Sequence, residues 1–245
     1  MTTLEDILRD LSYGELAQLK IGNLLPEEFE SAPDPKSYAQ ILSHINLGLK
    51  ELYKRFLLAR KELEIIQYPD NFATYLLDNK YALGNVASAE PIKFINDTVA
   101  LPFENDLLKI EECWYVNADA EDKLLFMNDP TEEDSVYTPT YRSLLLPEDN
   151  EFGNVTIKYR ASHPKLVYST AMDPADVDIE LPDALHEALL FYVASRAFAS
   201  LNTDQGTEGN DYWQKFQNSC NEVKAEGLWI QPEPNNNRFD DKGWV

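Results

Sequence analysis

Cations, cysteine, histidine and long apolar runs are all scarce in this chain, and each shortage removes a class of function. Apolar stretches such as Leu144-Leu145-Leu146 break within a few positions, so no run is long enough to cross a bilayer. The opening Met1-Thr2-Thr3-Leu4-Glu5-Asp6 has neither the basic start nor the apolar block of a secretion signal, and the expectation is a protein that works where it is made. The two cysteines, Cys113 and Cys220, lie far apart and outside any C-x-x-C pair, which favours two reduced, half-buried thiols over a disulfide framework. The three histidines, His44, His163 and His186, share no metal-ligand spacing. Nine glycines never form a phosphate-cradling G-x-G-x-x-G or G-x-x-x-x-G-K loop, and no G-x-S-x-G elbow exists. With 21 basic against 43 acidic residues the net charge is -22, which repels nucleic-acid phosphates and argues against groove reading.

What is present is periodicity. Leu4, Ile7, Leu8 and Leu11, then Leu16 and Leu19, fall at helical spacing in two short pieces broken near Ser12-Tyr13-Gly14. Ser12 and Glu15 fit a capping box for the second piece. After a Pro/Glu/Ser-rich loop, Asp34 and Pro35 suit the start of a longer helix. Its apolar stripe runs Tyr38, Ile41, Leu42, Ile45, Leu49, Leu52, Tyr53 and Phe56, roughly six turns.

Near Lys61 the period changes to two, with Leu63 and Ile65 alternating with Glu62 and Glu64. Strands are then expected at 72–77, 92–95, 107–116, 123–127, 154–160, 165–169 and 176–181. The alternation is cleanest in Val155, Ile157 and Tyr159, and each such strand has one wet face, as in an antiparallel sheet. Helix returns at Pro182 with Leu185, Ala188, Leu189, Tyr192 and Val193, continuing through Ala197 and Leu201. Gly206 and Gly209 read as breakers before a last helix carrying Tyr212, Phe216, Cys220 and Val223. The expected fold class is α+β: a bundle of N- and C-terminal helices with an inserted antiparallel β-rich subdomain. The parts are 1–62 and 181–227 as the two halves of the bundle, 63–180 as the projecting β-rich insertion, and 228–245 as an extended C-terminal docking tail.

Candidate chemistry is thin. Asp119, Glu121 and Asp122, then Asp129, Glu132, Glu133 and Asp134, could form a two-metal centre, a glycosidase pair or a loose calcium site. A solvated, like-charged loop on a protein acidic throughout is the stronger reading, and neither a metal nor a cofactor is expected. His186-Glu187 could start a catalytic pair, but a histidine on an amphipathic helix is far more often a packing residue. Trp114, Tyr115, Tyr137, Tyr141 and Tyr159 suit either a carbohydrate- or partner-binding face or cross-strand packing, and packing is preferred. Trp229, Phe239 and Trp244 escape that explanation, because large rings on an irregular Pro/Asn tail have nothing obvious in the chain to pack on. Such segments dock on partners.

Three stretches carry a family likeness: Leu4-Glu-Asp-Ile-Leu-Arg-Asp-Leu-Ser-Tyr-Gly-Glu-Leu, Ile45-Asn-Leu-Gly-Leu-Lys-Glu-Leu-Tyr-Lys-Arg-Phe, and Leu181-Pro-Asp-Ala-Leu-His-Glu-Ala-Leu-Leu-Phe-Tyr-Val-Ala-Ser-Arg. With Asn210-Asp-Tyr-Trp-Gln-Lys-Phe and Val155-Thr-Ile-Lys-Tyr-Arg-Ala-Ser-His-Pro, they resemble head-to-tail adaptor (connector) proteins of tailed bacteriophages. The likeness covers roughly residues 1–66 and 180–227. It implies a non-enzymatic structural protein of the virion, assembled in the host cytoplasm. Its copies would form a ring, usually of twelve, between the portal protein and the tail, nozzle or tail-fibre proteins. It further implies a channel that DNA passes without sequence-specific binding, no membrane contact, and a tail docking on the portal through Trp229, Arg238, Phe239, Trp244 and Val245. The alternatives are another tail or baseplate component, or a carbohydrate-binding or glycan-cleaving tail protein.

Overall fold

The computed structural model describes residues 2–17, 35–68, 73–98, 101–116, 122–147, 153–169, 172–199 and 206–228. The chain divides into two compact units, one formed by residues up to Phe56 and from Lys165 onward, the other by Leu57–Pro164. The fold is mixed α+β, with the terminal helices packed together and an antiparallel five-stranded sheet inserted between them in sequence.

In the first unit, β1 (Thr2–Thr3) runs straight into α1 (Leu4–Tyr13). A capping box closes the helix start: the Thr3 hydroxyl accepts from the Asp6 amide at 3.2 Å, and the Asp6 carboxylate accepts from the Thr3 amide at 3.0 Å. These bonds hold the Asp6 carboxyl below its ordinary pKa, the Thr3 backbone amide first. The Ser12–Glu15 box expected from the sequence does not form. Ser12 lies inside α1, and its hydroxyl donates back to the Leu8 carbonyl at 2.7 Å, the alternative open to any helical serine. Asp34, expected to cap α2 (Pro35–Arg55), falls outside the described residues, as do Leu19 and Leu201.

α3 (His186–Ala199) is the centre of this unit. Ala188, Leu189, Tyr192, Val193, Ala194, Ala197 and Phe198 are buried, so it is apolar almost all round, as a helix enclosed by neighbours must be. α2 packs on one side of it and α4 (Gly206–Ala225) on another, with α1 also in contact. Both close approaches use glycine. A Cβ on Gly48 of α2 would lie 2.6 Å from Leu189 Cδ1, and one on Gly209 of α4 would lie 3.2 Å from the Ala199 amide nitrogen and 3.3 Å from the Ser195 carbonyl oxygen. Gly206 and Gly209 were expected to break the helix, yet both lie within α4. At Gly209, contact with the α3 backbone outweighs the intrinsic helix cost of glycine, about 1 kcal/mol. The segment preceding α3 carries β9 (Asp178–Ile179), which pairs antiparallel with β1 and thereby joins the two chain ends.

The second unit orders its sheet β4 (Ile95–Asn96), β2 (Arg60–Ile65), β8 (Val155–Ala161), β5 (Leu107–Val116), β6 (Asp122–Leu124). β3 (Thr74–Leu76) pairs with β7 (Ser143–Leu145), a strand that the leucine run at 144–146 did not announce because it shows no alternation. Single bridges join Met127 to Val136, Tyr137 to Leu145 and Ala82 to Ile95 outside these strands. These strands enclose a core that includes Tyr75, Phe94, Cys113, Val155 and Ile157. The strand expected at 165–169 is absent. Asn46 of α2 instead takes both backbone groups of Leu166 with its own amide, each bond 2.8 Å, so one side chain supplies what a neighbouring strand would have supplied.

Candidate functional site

The five tail residues expected to dock on a partner, Trp229, Arg238, Phe239, Trp244 and Val245, lie outside the described residues, as do Asp119 and Glu121. The rest of the acidic stretch is organised by its own turn. Asp129 accepts from the amide and hydroxyl of Thr131, at 2.9 and 2.6 Å, while the buried Ser135 hydroxyl accepts from the Asp129 amide at 2.9 Å. Glu132, Glu133 and Asp134 are exposed around that turn. Among the described residues, no group of three or more histidine, cysteine or acidic side chains is arranged to hold a metal ion.

The nucleophile candidates are equally committed to structure. Cys113 and Cys220 are buried and unlinked; burial pushes the Cys113 thiol up to about 12 and raises that of Cys220 as well, so neither is a thiolate near neutrality. His186 opens α3, and its Nε2 lies 2.7 Å from Asp10 Oδ2 at the far end of α1. Among the described residues this is its one hydrogen bond. The pair tethers α1 to α3 and presents no hydroxyl or thiol to activate. His44 lies half-buried on α2 with both ring nitrogens unpartnered among the described residues. Burial lowers its pKa, helped by the nearby Arg196 charge, and the ring is held neutral.

The aromatics of the β unit divide between the two expected roles. Tyr159 is core, and its hydroxyl donates to the buried Asp106 at 3.1 Å; Lys61 reaches the other oxygen of that carboxylate at 2.6 Å. Burial, then the Asp106 charge, raises the Tyr159 pKa far above its ordinary value. Sequence reading missed Asp106; its signal was the Asn105-Asp106 step before β5, where Asn105 adopts a left-handed φ of 59°. Trp114 is on the outward face, with Lys158 Nζ 5.0 Å from the ring centroid and its indole N–H donating to Glu112 at 2.9 Å. Around it runs a charge ladder: Glu111 bridges Arg60 and Arg160, each at 3.0 Å, and Lys158 approaches Glu62 at 3.6 Å. The register places Arg60 directly opposite Arg160, a repulsive pair that Glu111, carried onto the same face by a bulge, neutralises.

In the helical unit, α2 and α4 meet at Arg55. Arg55 closes the junction, donating to Glu51 and Gln217 at 2.9 Å each and lying 4.6 Å from the Phe216 ring centroid and 5.9 Å from that of Trp213. Trp213 remains 40% exposed and Leu47 39%, although each neighbours fully packed residues. The Arg55 guanidinium and the partly exposed Trp213 ring thus lie together on this surface.

No helix among the described residues is long and apolar enough to cross a membrane. No curated protein matches the chain. The family model described as SU10 adaptor protein matches residues 11–235, taking in both halves of the helical unit and the whole β unit. A bundle joining the two chain ends, an inserted sheet and surfaces made for neighbours accord with that match, and the chain belongs to the SU10 adaptor protein family, a family of phage head-tail adaptors.

Proposed function

We propose that the chain is a head-to-tail adaptor that forms a ring of twelve copies between the portal protein and the tail or nozzle, lines the DNA channel, and catalyses no reaction. The observation that carries this reading is the family match across residues 11–235. The composition supports it. A wall with a net charge of -22 per copy offers DNA no counterion-releasing contacts, so a genome slides past without being trapped. Screening limits that repulsion to about 8 Å at physiological salt, enough for a channel lining. In this reading residues 228–245 are the docking tail, with Trp229, Phe239 and Trp244 as apolar anchors, Arg238 as their charged companion and Val245 as the chain end. A Pro/Asn-rich segment of this kind orders on binding.

The test is the mass of the complex formed when the full chain is mixed with a portal assembly. Twelve bound copies per portal are expected; no binding would overturn the proposal. A chain truncated after Gly227 should keep its helical and β circular dichroism and lose portal attachment. Normal attachment by the truncated chain would remove the tail from the proposal while leaving the ring.

A further inference from the structure

We infer that the exposed faces of α2 and α4 form one side of the contact between adjacent copies, and that they receive the carboxylate-bearing flank of α4 from a second copy. The inference rests on the adaptor reading and names the surface through which copies meet. Its starting point is an uneven distribution of charge. The chain has 43 acidic residues, yet α2 contains only one, Glu51, and that one is engaged by Lys54 at 3.6 Å and Arg55 at 2.9 Å. The outward stripe of α2 exposes Lys36, Gln40, Ser43, Leu47, Lys50 and Lys54, at helical spacing and without a carboxylate. On α4 the side turned toward α2 carries Trp213, Gln217, Asn221 and Lys224, again without one. The two stripes join at Arg55, which bonds Gln217 and stacks near Trp213. Among the described side chains of this stretch, the acids Asp211, Glu222 and Glu226 are exposed on the opposite flank of α4's outward arc.

Among the described residues, the carboxylates on these two adjoining helical faces are reduced to Glu51, which is paired with Lys54 and Arg55. The composition of this face is that of a protein contact: tryptophan and arginine at its centre, amides and leucine around them, and one described carboxylate, Glu51, already engaged by Lys54 and Arg55. Phosphate binding would instead call for a larger set of uncommitted cations, whereas here Arg55 and Lys54 already engage Glu51. The occupant is therefore acidic protein, and the second copy of a chain with net charge -22 is the acidic protein present at every ring position. The face cannot meet its own twin, since that would set Lys50, Lys54 and Lys224 against the same lysines. The contact must join two different surfaces, and heterologous contacts of that kind generate rings when the rotation closes. The acidic flank of α4 lies on the same helix as the basic face, so one element presents both halves of the contact to its two neighbours.

Two charge-reversed full-length chains test this: Lys54→Glu with Lys224→Glu, and Glu222→Lys with Glu226→Lys. All four positions are exposed, and circular dichroism checks that both chains fold as the wild type. Self-association is followed by native mass spectrometry and sedimentation, alone and on a portal assembly, at low and at high salt. Each reversed chain alone should associate at least tenfold more weakly than wild type, and an equimolar mixture should recover assembly, because each then offers the face the other needs. Wild-type association should itself weaken as salt rises. Reversed chains that form rings as well as wild type would overturn the inference and leave the adaptor reading standing. A wild-type chain that never multimerises, with or without portal, would remove the adaptor reading itself. Duplex DNA that binds wild type and is lost by Lys54→Glu with Lys224→Glu would overturn the inference in favour of a nucleic-acid surface.

Discussion

The two units reach a buried core by opposite routes. The β unit is one uninterrupted segment, and its entry and exit strands are neighbours: β2 pairs with β8 along its whole length, and the Ala161 amide donates to the Ala59 carbonyl at 3.0 Å. The helical unit joins pieces from the two ends of the chain, with β1 meeting β9 and α1 and α2 meeting α3 across more than a hundred intervening residues. Adjacent entry and exit points allow a folded segment to sit within another unit's sequence without straining either. The two units do not differ in how they treat polarity. The β unit buries the Asp106 carboxylate and satisfies it with Lys61 and Tyr159, yet Gln67 Nε2 and Arg142 Nε have no hydrogen-bond partner among the described residues, as the His44 ring and the Tyr38 hydroxyl have none in the helical unit.

The sharpest way to break the comparison is to damage one core and watch the other. Phe216 is fully buried between Arg55, Trp213 and Tyr192. Phe216→Ala should cost about 4 kcal/mol, and in thermal melts the helical signal should fall well before Trp114 fluorescence responds. Simultaneous loss of both would show that the units unfold as one. Next in size, Asp106→Ala removes the acceptor that Tyr159 and Lys61 share, and should cost about 2 kcal/mol in the β unit alone, read from denaturant midpoints. Thr3→Ala removes the hydroxyl half of the α1 capping box and should cost about 1 kcal/mol, this time in the helical unit. The smallest expected effect is on the dependence of stability on pH. His44 has a folded pKa below its ordinary 6.5, so the unfolded chain binds the proton first as pH falls. Stability contributed by the neutral ring is present above 6.5 and is lost as the pH drops from there toward the folded value. His44→Leu should remove that slope and match or exceed wild-type stability at pH 6; an unchanged slope would exclude His44 as its source.

Much of the fold could be read from residue spacing. The stripe from Tyr38 to Phe56 placed α2, and the alternation through Val155, Ile157 and Tyr159 placed β8, because a face that is buried on one side must repeat with the period of its own backbone. The failures share a different cause. Ser12 has a hydroxyl that can cap a new helix or bond back within the old one, and only the position of the Leu8 carbonyl in a continuous α1 decides. Gly209 looks like a breaker until α3 is packed against it. The 165–169 strand was lost to a single amide, Asn46, which lies 120 residues away from Leu166 in sequence. The candidate surfaces were less legible still. The basic residues of α2 could be counted in the sequence, but their continuity with Trp213 and Lys224 depends on Arg55 bridging two helices.

Composition and periodicity by themselves determined the class of molecule: acidic, helical at both ends and β in the middle. These properties are local or additive, and each residue carries its share wherever the chain takes it. Only the tertiary structure decided that Gly48 and Gly209 are contact points, and that the exposed faces of α2 and α4 adjoin at Arg55. Those facts depend on which residues far apart in sequence share a distance of a few ångströms, and spacing along a chain does not encode that.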